Sequence, residues 1–240
     1  MKQGLPPLFF IASFFVQEKT KKNLTSFSNK KWSTYFRTWQ NDNGINNNQT
    51  TNIMKLKFFL LTFLLVFARG CDFYSTSLWF FDNPTGEQNL LYKFFGVGWT
   101  GLIAANVIIV VLIIYAFYFY SFKYKTTRQT SSNNLTDFVS ELYFNEKGRF
   151  LDIFYKTPKN KSTLLAHTGY VLVRVVIVAS FLATFHNICQ FYNISFYNSF
   201  REIVGRPLYV IYGLVLSSFM YFSCRLWSKE YRLTIDKNIS

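Results

Sequence analysis

Three ionisable side chains, Arg69, Asp72 and Arg174, lie inside long apolar runs of this sequence. An ionisable group at membrane depth costs about 2.5–3.5 kcal/mol on insertion scales, so each of these groups needs a partner. Arg69 and Asp72 are three residues apart and share a helical face, which predicts an ion pair. Thr76 lies on the same face, and Asn106 reaches a similar depth in the next apolar run. We therefore predict one buried polar network of Arg69, Asp72, Thr76, Asn106 and Arg174.

This predicted network allows three kinds of role. It can fix the packing of the helices, as interhelical polar contacts commonly do. It can instead bind a ligand or an ion, or form a catalytic centre. The sequence contains no GxSxG, GxxxxGK[S/T] or HExxH motif, so it assigns no catalytic residue.

A second polar group is predicted at the outer face of the same apolar runs and consists of Glu87, Asn89, His186 and Asn187. Carboxylates and a histidine can bind a metal ion or move protons. Glu87 lies in a predicted loop, however, and a single histidine at a helix end is more often an interfacial residue. We expect the same of His167 at the other end of its run. We predict no metal site and no cofactor.

The distribution of the apolar residues, more than their number, indicates the class of protein. Of the 240 residues 50% are hydrophobic, which is ordinary for a soluble domain, but they are gathered into a few long runs. Only 16% of the residues are charged, against roughly 25% in a typical soluble domain. The net charge of +14 comes from basic residues that flank the runs. The chain also lacks RRM signatures and zinc-finger spacings, so we predict a lipid bilayer and no nucleic acid as its partner.

Four apolar runs are long enough to cross a bilayer, at about residues 58–81, 97–122, 164–188 and 208–227. A membrane-spanning helix needs about 20 residues, and the first run reaches this length only if it continues past Arg69 and Asp72. Pro207 precedes the fourth run, where a proline suits the first turn of a helix. The predicted fold class is an all-α membrane protein built as a four-helix transmembrane bundle.

The loop between the second and third runs, residues 123–163, is the one sizeable connection. Leu135, Phe138, Val139 and Leu142 recur in it at helical spacing. This spacing predicts an amphipathic cytoplasmic segment that lies in the headgroup region. The turn sequence near Gly148 leaves a β-hairpin as the alternative.

Basic residues are concentrated on one side of the predicted spans, which predicts that both chain ends are cytoplasmic (N-in/C-in). The predicted cytoplasmic segments contain Lys55, Lys57, Lys123, Lys125, Arg128, Lys147, Arg149, Lys156, Lys159, Lys161, Arg225, Lys229, Arg232 and Lys237. The predicted outer connections contain only Lys93, Arg201 and Arg206.

Residues 1–53 differ in composition from the remainder, residues 54–240, which we predict to be the transmembrane domain. The first segment is rich in Lys, Asn, Ser and Thr and is predicted to be a disordered polar extension. Met54 opens a sequence typical of inner-membrane proteins, so a natural start at Met54 and a genuine basic tail are two alternatives. A lipoprotein signal with a lipidated Cys71 is a further alternative, but Arg69 stands where such signals carry a small residue.

Two short motifs stand close together in residues 58–106. Asp72 and Thr76 form an Asp-x-x-x-Thr motif in the first span, and Glu87 and Asn89 form a Glu-x-Asn motif after it. This stretch resembles small uncharacterised bacterial multi-pass membrane proteins, although Leu90 stands where those proteins have Pro. The resemblance implies a bacterial cytoplasmic (inner) membrane and no particular activity. The chain is rich in Phe, Lys, Asn, Ile and Tyr, and an organelle-encoded subunit would show the same bias.

Three functions stay open from the sequence. The first is a small transport or channel-like component that works as a homo-oligomer or with a partner membrane subunit, since four short-looped helices enclose little space. The second is a membrane enzyme that acts on lipid headgroups, with Glu87 and His186 as its acid and base. The third is a non-catalytic membrane assembly protein in which the polar network only sets packing.

Overall fold

Six α-helices and no strand make up residues 47–82, 99–124 and 134–239, the part of the chain that the computed structural model describes. The helices are α1 (Asn47–Asp82), α2 (Trp99–Tyr118), α3 (Leu135–Phe144), α4 (Lys161–Phe191), α5 (Ser195–Val204) and α6 (Pro207–Ile239). A π-helical turn, Phe119–Lys123, continues α2, and a 3-10 turn, Phe150–Phe154, follows α3. The chain divides into two units, Met1–Ile53 and Met54–Ser240, and the packing reported below is that of the second.

Four of these helices are long and apolar enough to cross a membrane, which confirms the predicted all-α bundle of four spans. The spans are Thr51–Trp79, Thr100–Lys123, Lys161–Phe191 and Pro207–Ile235. The first, third and fourth spans are longer than predicted, because α1, α4 and α6 continue beyond the apolar runs, whereas the second span has 24 residues and is slightly shorter than predicted. A helix of 31 residues such as α4 is about 46 Å long and exceeds the roughly 30 Å hydrocarbon core, so its ends extend into the headgroup region.

The start of α1 differs from the prediction. The helix begins at Asn47, within the segment that was predicted to be disordered, and continues through Met54 without a break. The remainder of that segment, residues 1–46, lies outside the described residues. The fourth span begins at Pro207, as predicted from its position.

Contacts between side chains show how the helices run. α1 and α4 run in the same direction, because Arg69 meets Ser180 and, further along both helices, Ser75 meets Asn187. We call the end of the bundle that carries residues 134–160 the loop end, and the other the opposite end. The assignment of the loop end to the cytoplasm stays a prediction.

α2 and α4 make a close backbone contact in the bundle core. A Cβ atom added to Gly169 would lie 2.2 Å from the carbonyl carbon of Ala116 and 2.5 Å from the amide nitrogen of Phe117. Only a glycine lets the two backbones approach this far, and small residues at such contacts are a recurrent feature of membrane helix pairs.

A buried apolar layer joins α1, α2 and α4 beside this contact. We define the apolar layer as Leu65, Ala68, Ile113, Phe117, Val173 and Ile177. Leu65, Ala68 and Val173 are fully buried. The layer therefore forms a dry section of the bundle on the loop-end side of Arg69.

The loop helix α3 packs on the bundle instead of lying free on the surface. Phe138 and Val139 are fully buried, and the cluster that they form includes Trp227 and Tyr231 of α6. The predicted helix is confirmed, but protein covers the apolar face that we expected to lie in the headgroup region. The β-hairpin alternative is wrong, because the turn is flanked by a helix on one side, which Asn145 caps in the left-handed conformation, and by a 3-10 turn on the other.

Candidate functional site

The site begins with an ion pair within α1. A guanidinium nitrogen of Arg69 lies 2.5 Å from a carboxylate oxygen of Asp72, as the three-residue spacing predicted. The two side chains are 19% and 15% exposed, so they are largely withdrawn from the surface of the bundle. The Arg69 guanidinium also lies 5.3 Å from the ring of Phe73, whose face attracts a cation.

Two further helices contribute partners to Arg69. It donates to the side-chain oxygen of Asn106 from α2 and, at 3.3 Å, to the hydroxyl of Ser180 from α4. Asn106 is itself fixed, because its amide nitrogen donates to the carbonyl of Leu102 one turn earlier, at 2.8 Å. A single guanidinium thus holds α1, α2 and α4 together through charge-assisted hydrogen bonds, which are stronger than neutral ones.

Polar contacts continue from this ion pair towards the opposite end. The side-chain amide of Asn187 donates to the hydroxyls of Ser75, at 3.2 Å, and Thr76, at 3.3 Å. Beyond them the indole of Trp79 donates to the backbone carbonyl of Asn187 at 3.3 Å. We define the polar seam as Arg69, Asp72, Ser75, Thr76, Asn106, Ser180 and Asn187. It starts near the middle of α1 and ends close to the last turn of the spanning part of that helix.

Arg174 lies apart from the polar seam, although the sequence placed it in the same network. Its guanidinium donates to the carbonyl of Tyr170 at 2.6 Å and stacks 3.6 Å from the centre of that ring. The ring of Phe117 lies 5.7 Å away on another side. The physical reason is direction: an arginine that bonds the carbonyl four residues earlier points towards the loop end, away from Asp72.

The predicted outer-face group does not appear as a unit in the described residues. Glu87 and Asn89 lie outside them. His186 is 8% exposed and shares a hydrogen bond with the hydroxyl of Tyr197 from α5. Asn187 belongs to the polar seam. Across the described ranges, no three His, Cys, Asp or Glu side chains lie close enough together to hold a metal ion.

His167 is a buried residue, whereas the sequence predicted an interfacial one. It is 3% exposed, and its Nδ1 lies 2.7 Å from the hydroxyl of Tyr143 in α3. The indole of Trp227 donates to the same hydroxyl at 3.4 Å. These contacts join α3, α4 and α6 at the loop end. Within the described part of the chain, the Nε2 atom of His167 has no hydrogen-bond partner.

Sequence reasoning missed several residues of these sites. Ser75 and Ser180 are fully or almost fully buried, and Tyr120 receives a hydrogen bond from Lys229 at 3.1 Å. A lone serine in an apolar run is a weak signal, because its hydroxyl is commonly satisfied by its own helix. A tyrosine near the end of a span is ordinarily interpreted as part of the aromatic belt at the membrane interface.

No family model matches the chain, and neither a curated protein nor a solved structure matches it.

Proposed function

We propose that the protein is a small transport component whose Arg69–Asp72 pair takes up a proton and a small anion together. The observation that carries the proposal is the polar seam, which connects this pair to one end of the bundle. On the other side of the pair lies the apolar layer. Such a layout would let a proton or an anion approach from one side and would block it on the other.

The cost of a buried charge pair is the first argument. An ion pair in a low-dielectric environment seldom stabilises a fold more than apolar residues of the same size would. Serine and asparagine contacts alone can hold membrane helices together. Ionisable residues at membrane depth are therefore functional by default, and Arg69 and Asp72 fit that expectation.

The chemistry follows from charge balance. When Asp72 takes up a proton, it loses the charge that neutralises Arg69. The guanidinium then needs another anion, which can enter along the hydroxyl and amide groups of the seam. Proton and anion uptake are thus coupled, because each one stabilises the bound state of the other.

A single chain offers only half of a route, so the active form is an oligomer or a complex with another membrane subunit. The apolar layer lies between the seam and the loop end, with Leu65 and Val173 at its centre. Either a rearrangement of α1 against α4 or a neighbouring subunit has to provide the second half.

Flux into reconstituted vesicles tests the proposal. The informative variant is the double substitution Arg69→Gln with Asp72→Asn, because it removes both charges and leaves no single charge buried. We expect proton-coupled anion flux to fall at least tenfold, with unchanged helix content and elution volume. Asn187→Ala should reduce the flux less.

The matched control is Ser218→Ala, which removes a hydroxyl that bonds only a carbonyl of its own helix. It should leave the flux unchanged. Wild-type vesicles that conduct no better than protein-free vesicles would overturn the proposal, and so would a double variant with wild-type flux.

A non-catalytic assembly role is the second candidate, and one observation favours it. Arg69 has partners from three helices, so the seam is satisfied within the protein. This role predicts that the double variant lowers the yield of folded protein and that the folded fraction shows no separate loss. The ratio of flux to folded protein distinguishes the two candidates.

A further inference from the structure

We infer that the loop end of the bundle carries a binding site for the phosphate of an anionic phospholipid, centred on Lys229. The site consists of basic side chains from α1, α4 and α6 beside the π-helical turn. It is separate from the polar seam and does not depend on the proposed transport function.

Positive charge is concentrated around Lys229. Its ammonium lies within electrostatic range of Lys57 on α1, Arg174 on α4 and Arg225 on its own helix. One carboxylate, that of Glu230, also lies nearby. Among the described residues, four cations stand against this one carboxylate, and an anion would offset part of their positive charge.

Arg174 is held by groups that do not neutralise it. Its guanidinium stacks on Tyr170 and bonds that residue's carbonyl, and the described residues contain no carboxylate within ion-pair distance of it. Aromatic faces attract a cation but carry no net charge. A guanidinium has five N–H donors, so Arg174 retains donors for a phosphate.

The depth of the cluster suits a headgroup. Arg174 lies 13 positions after Lys161, or about 20 Å along α4, and its guanidinium reaches back by about one turn to the level of Tyr170. Long basic side chains commonly reach towards the interface in this way. Lys229 lies about 33 Å along α6 from Pro207, close to the expected boundary of a 30 Å hydrocarbon core.

Tyrosines give the site its shape. Lys229 donates to the Tyr120 hydroxyl at 3.1 Å, and the Tyr120 ring packs edge-on against Tyr170, with 5.0 Å between centroids. The π-helical turn, Phe119–Lys123, contains Tyr120, and such turns occur frequently at functional sites. Basic pockets between membrane helices on the cytoplasmic side recognise anionic headgroups, and the loop end is the predicted cytoplasmic end.

The test uses the full chain in bilayer discs, with its thermal unfolding midpoint followed as phosphatidylglycerol replaces phosphatidylcholine. We expect a saturable rise of the midpoint. Lys229→Gln should raise the half-saturating fraction of phosphatidylglycerol about fivefold, the factor expected when one basic residue no longer meets a bound anionic headgroup. Arg174→Lys keeps the charge but cannot stack as a planar guanidinium, and it should raise the fraction less.

Lys161→Gln is the matched control, because it removes the same charge from an exposed lysine at the start of α4. It should leave the half-saturating fraction near the wild-type value. Equal responses of the Lys161 and Lys229 variants would overturn the inference. A full rise of the midpoint on adding glycerol phosphate to neutral discs would also overturn it, because the site would then belong to a soluble anion.

Discussion

Arg69 and Arg174 are the same residue type in neighbouring helices, yet the protein satisfies them by different means. Arg69 has a carboxylate, an amide oxygen and a hydroxyl around it, contributed by three helices. Arg174 has two aromatic rings and a carbonyl of its own helix. The first is neutralised within the bundle, whereas the second keeps its net charge.

The comparison indicates that the fold depends more on one of these two arginines than on the other. Removal of a partner from a buried ion pair leaves an uncompensated charge and is strongly destabilising. Removal of a cation from an aromatic face loses only the attraction between the two. Arg69 therefore holds helices together, while Arg174 supplies charge to the loop end.

The largest expected effect comes from Asp72→Asn, which leaves Arg69 without its counter-charge. We expect a loss of about 3 kcal/mol in the free energy of unfolding, by analogy with broken buried pairs in other proteins. Arg174→Gln should cost about 1 kcal/mol. Circular dichroism during unfolding in mixed micelles measures both, and equal losses would contradict the distinction between the two arginines.

The second effect concerns the contact between α2 and α4 that adjoins Phe117, a neighbour of Arg174. Gly169→Ala would put a methyl group 2.2 Å from the Ala116 carbonyl carbon, so α2 and α4 must separate. We expect a loss of about 2 kcal/mol, typical of overpacked cores. Helix separation should move Phe117 away from Arg174.

Gly213→Ala is the control for this packing change, because no atom lies within 4 Å of an added Cβ there. Alanine also favours a helix over glycine by up to about 1 kcal/mol, so this variant should be neutral or slightly stabilised. A Gly169 variant as stable as the Gly213 variant would contradict the close contact.

The smallest effect concerns Asp152, a carboxylate outside the spans, and contrasts with Asp72 inside the first span. The pKa of Asp152 is lowered by a hydrogen bond from Tyr155 and by Lys156, whose ammonium lies 2.9 Å away. The folded state thus favours the charged form above the ordinary carboxyl pKa of about 4 and loses this stabilisation as the pH falls through the lower, folded value.

Thermal unfolding at pH 6 and near pH 3 checks this expectation. The wild type should lose more stability over this interval than Asp152→Asn, which has no carboxyl to titrate at that position. A parallel decline of the two proteins would show that the Tyr155 and Lys156 contacts do not stabilise the loop.

The sequence predicts some parts of this structure for clear physical reasons. Hydropathy locates four spans, and the spacing of Arg69 and Asp72 determines their pairing, because both depend only on neighbours along one helix. The hydrogen bond between Arg69 and Asn106 follows from the similar depth of the two residues in their spans. The polar network as predicted is thus partly present, with Asn187 as an additional member taken from the predicted outer-face group.

Other features depend on how helices are rotated about their axes, which one sequence does not determine. Depth alone allowed Arg174 to reach Asp72, but its side chain points to the loop end. The docking of α3 on Trp227 depends on a complementary surface elsewhere in the chain. The π-helical turn has no pattern that distinguishes it from a continuing α-helix.

The apolar layer also has an electrical consequence. On α4 it extends from Val173 to Ile177, about 6 Å along the helix. Because its members are apolar side chains, we expect a transmembrane voltage to drop more steeply across it than across the polar seam. A unit charge that crosses the whole voltage gains or loses about 2.3 kcal/mol per 100 mV. A charge that passes between Arg69 and the loop end would therefore respond steeply to the membrane voltage, while a charge that moves along the polar seam would hardly respond at all.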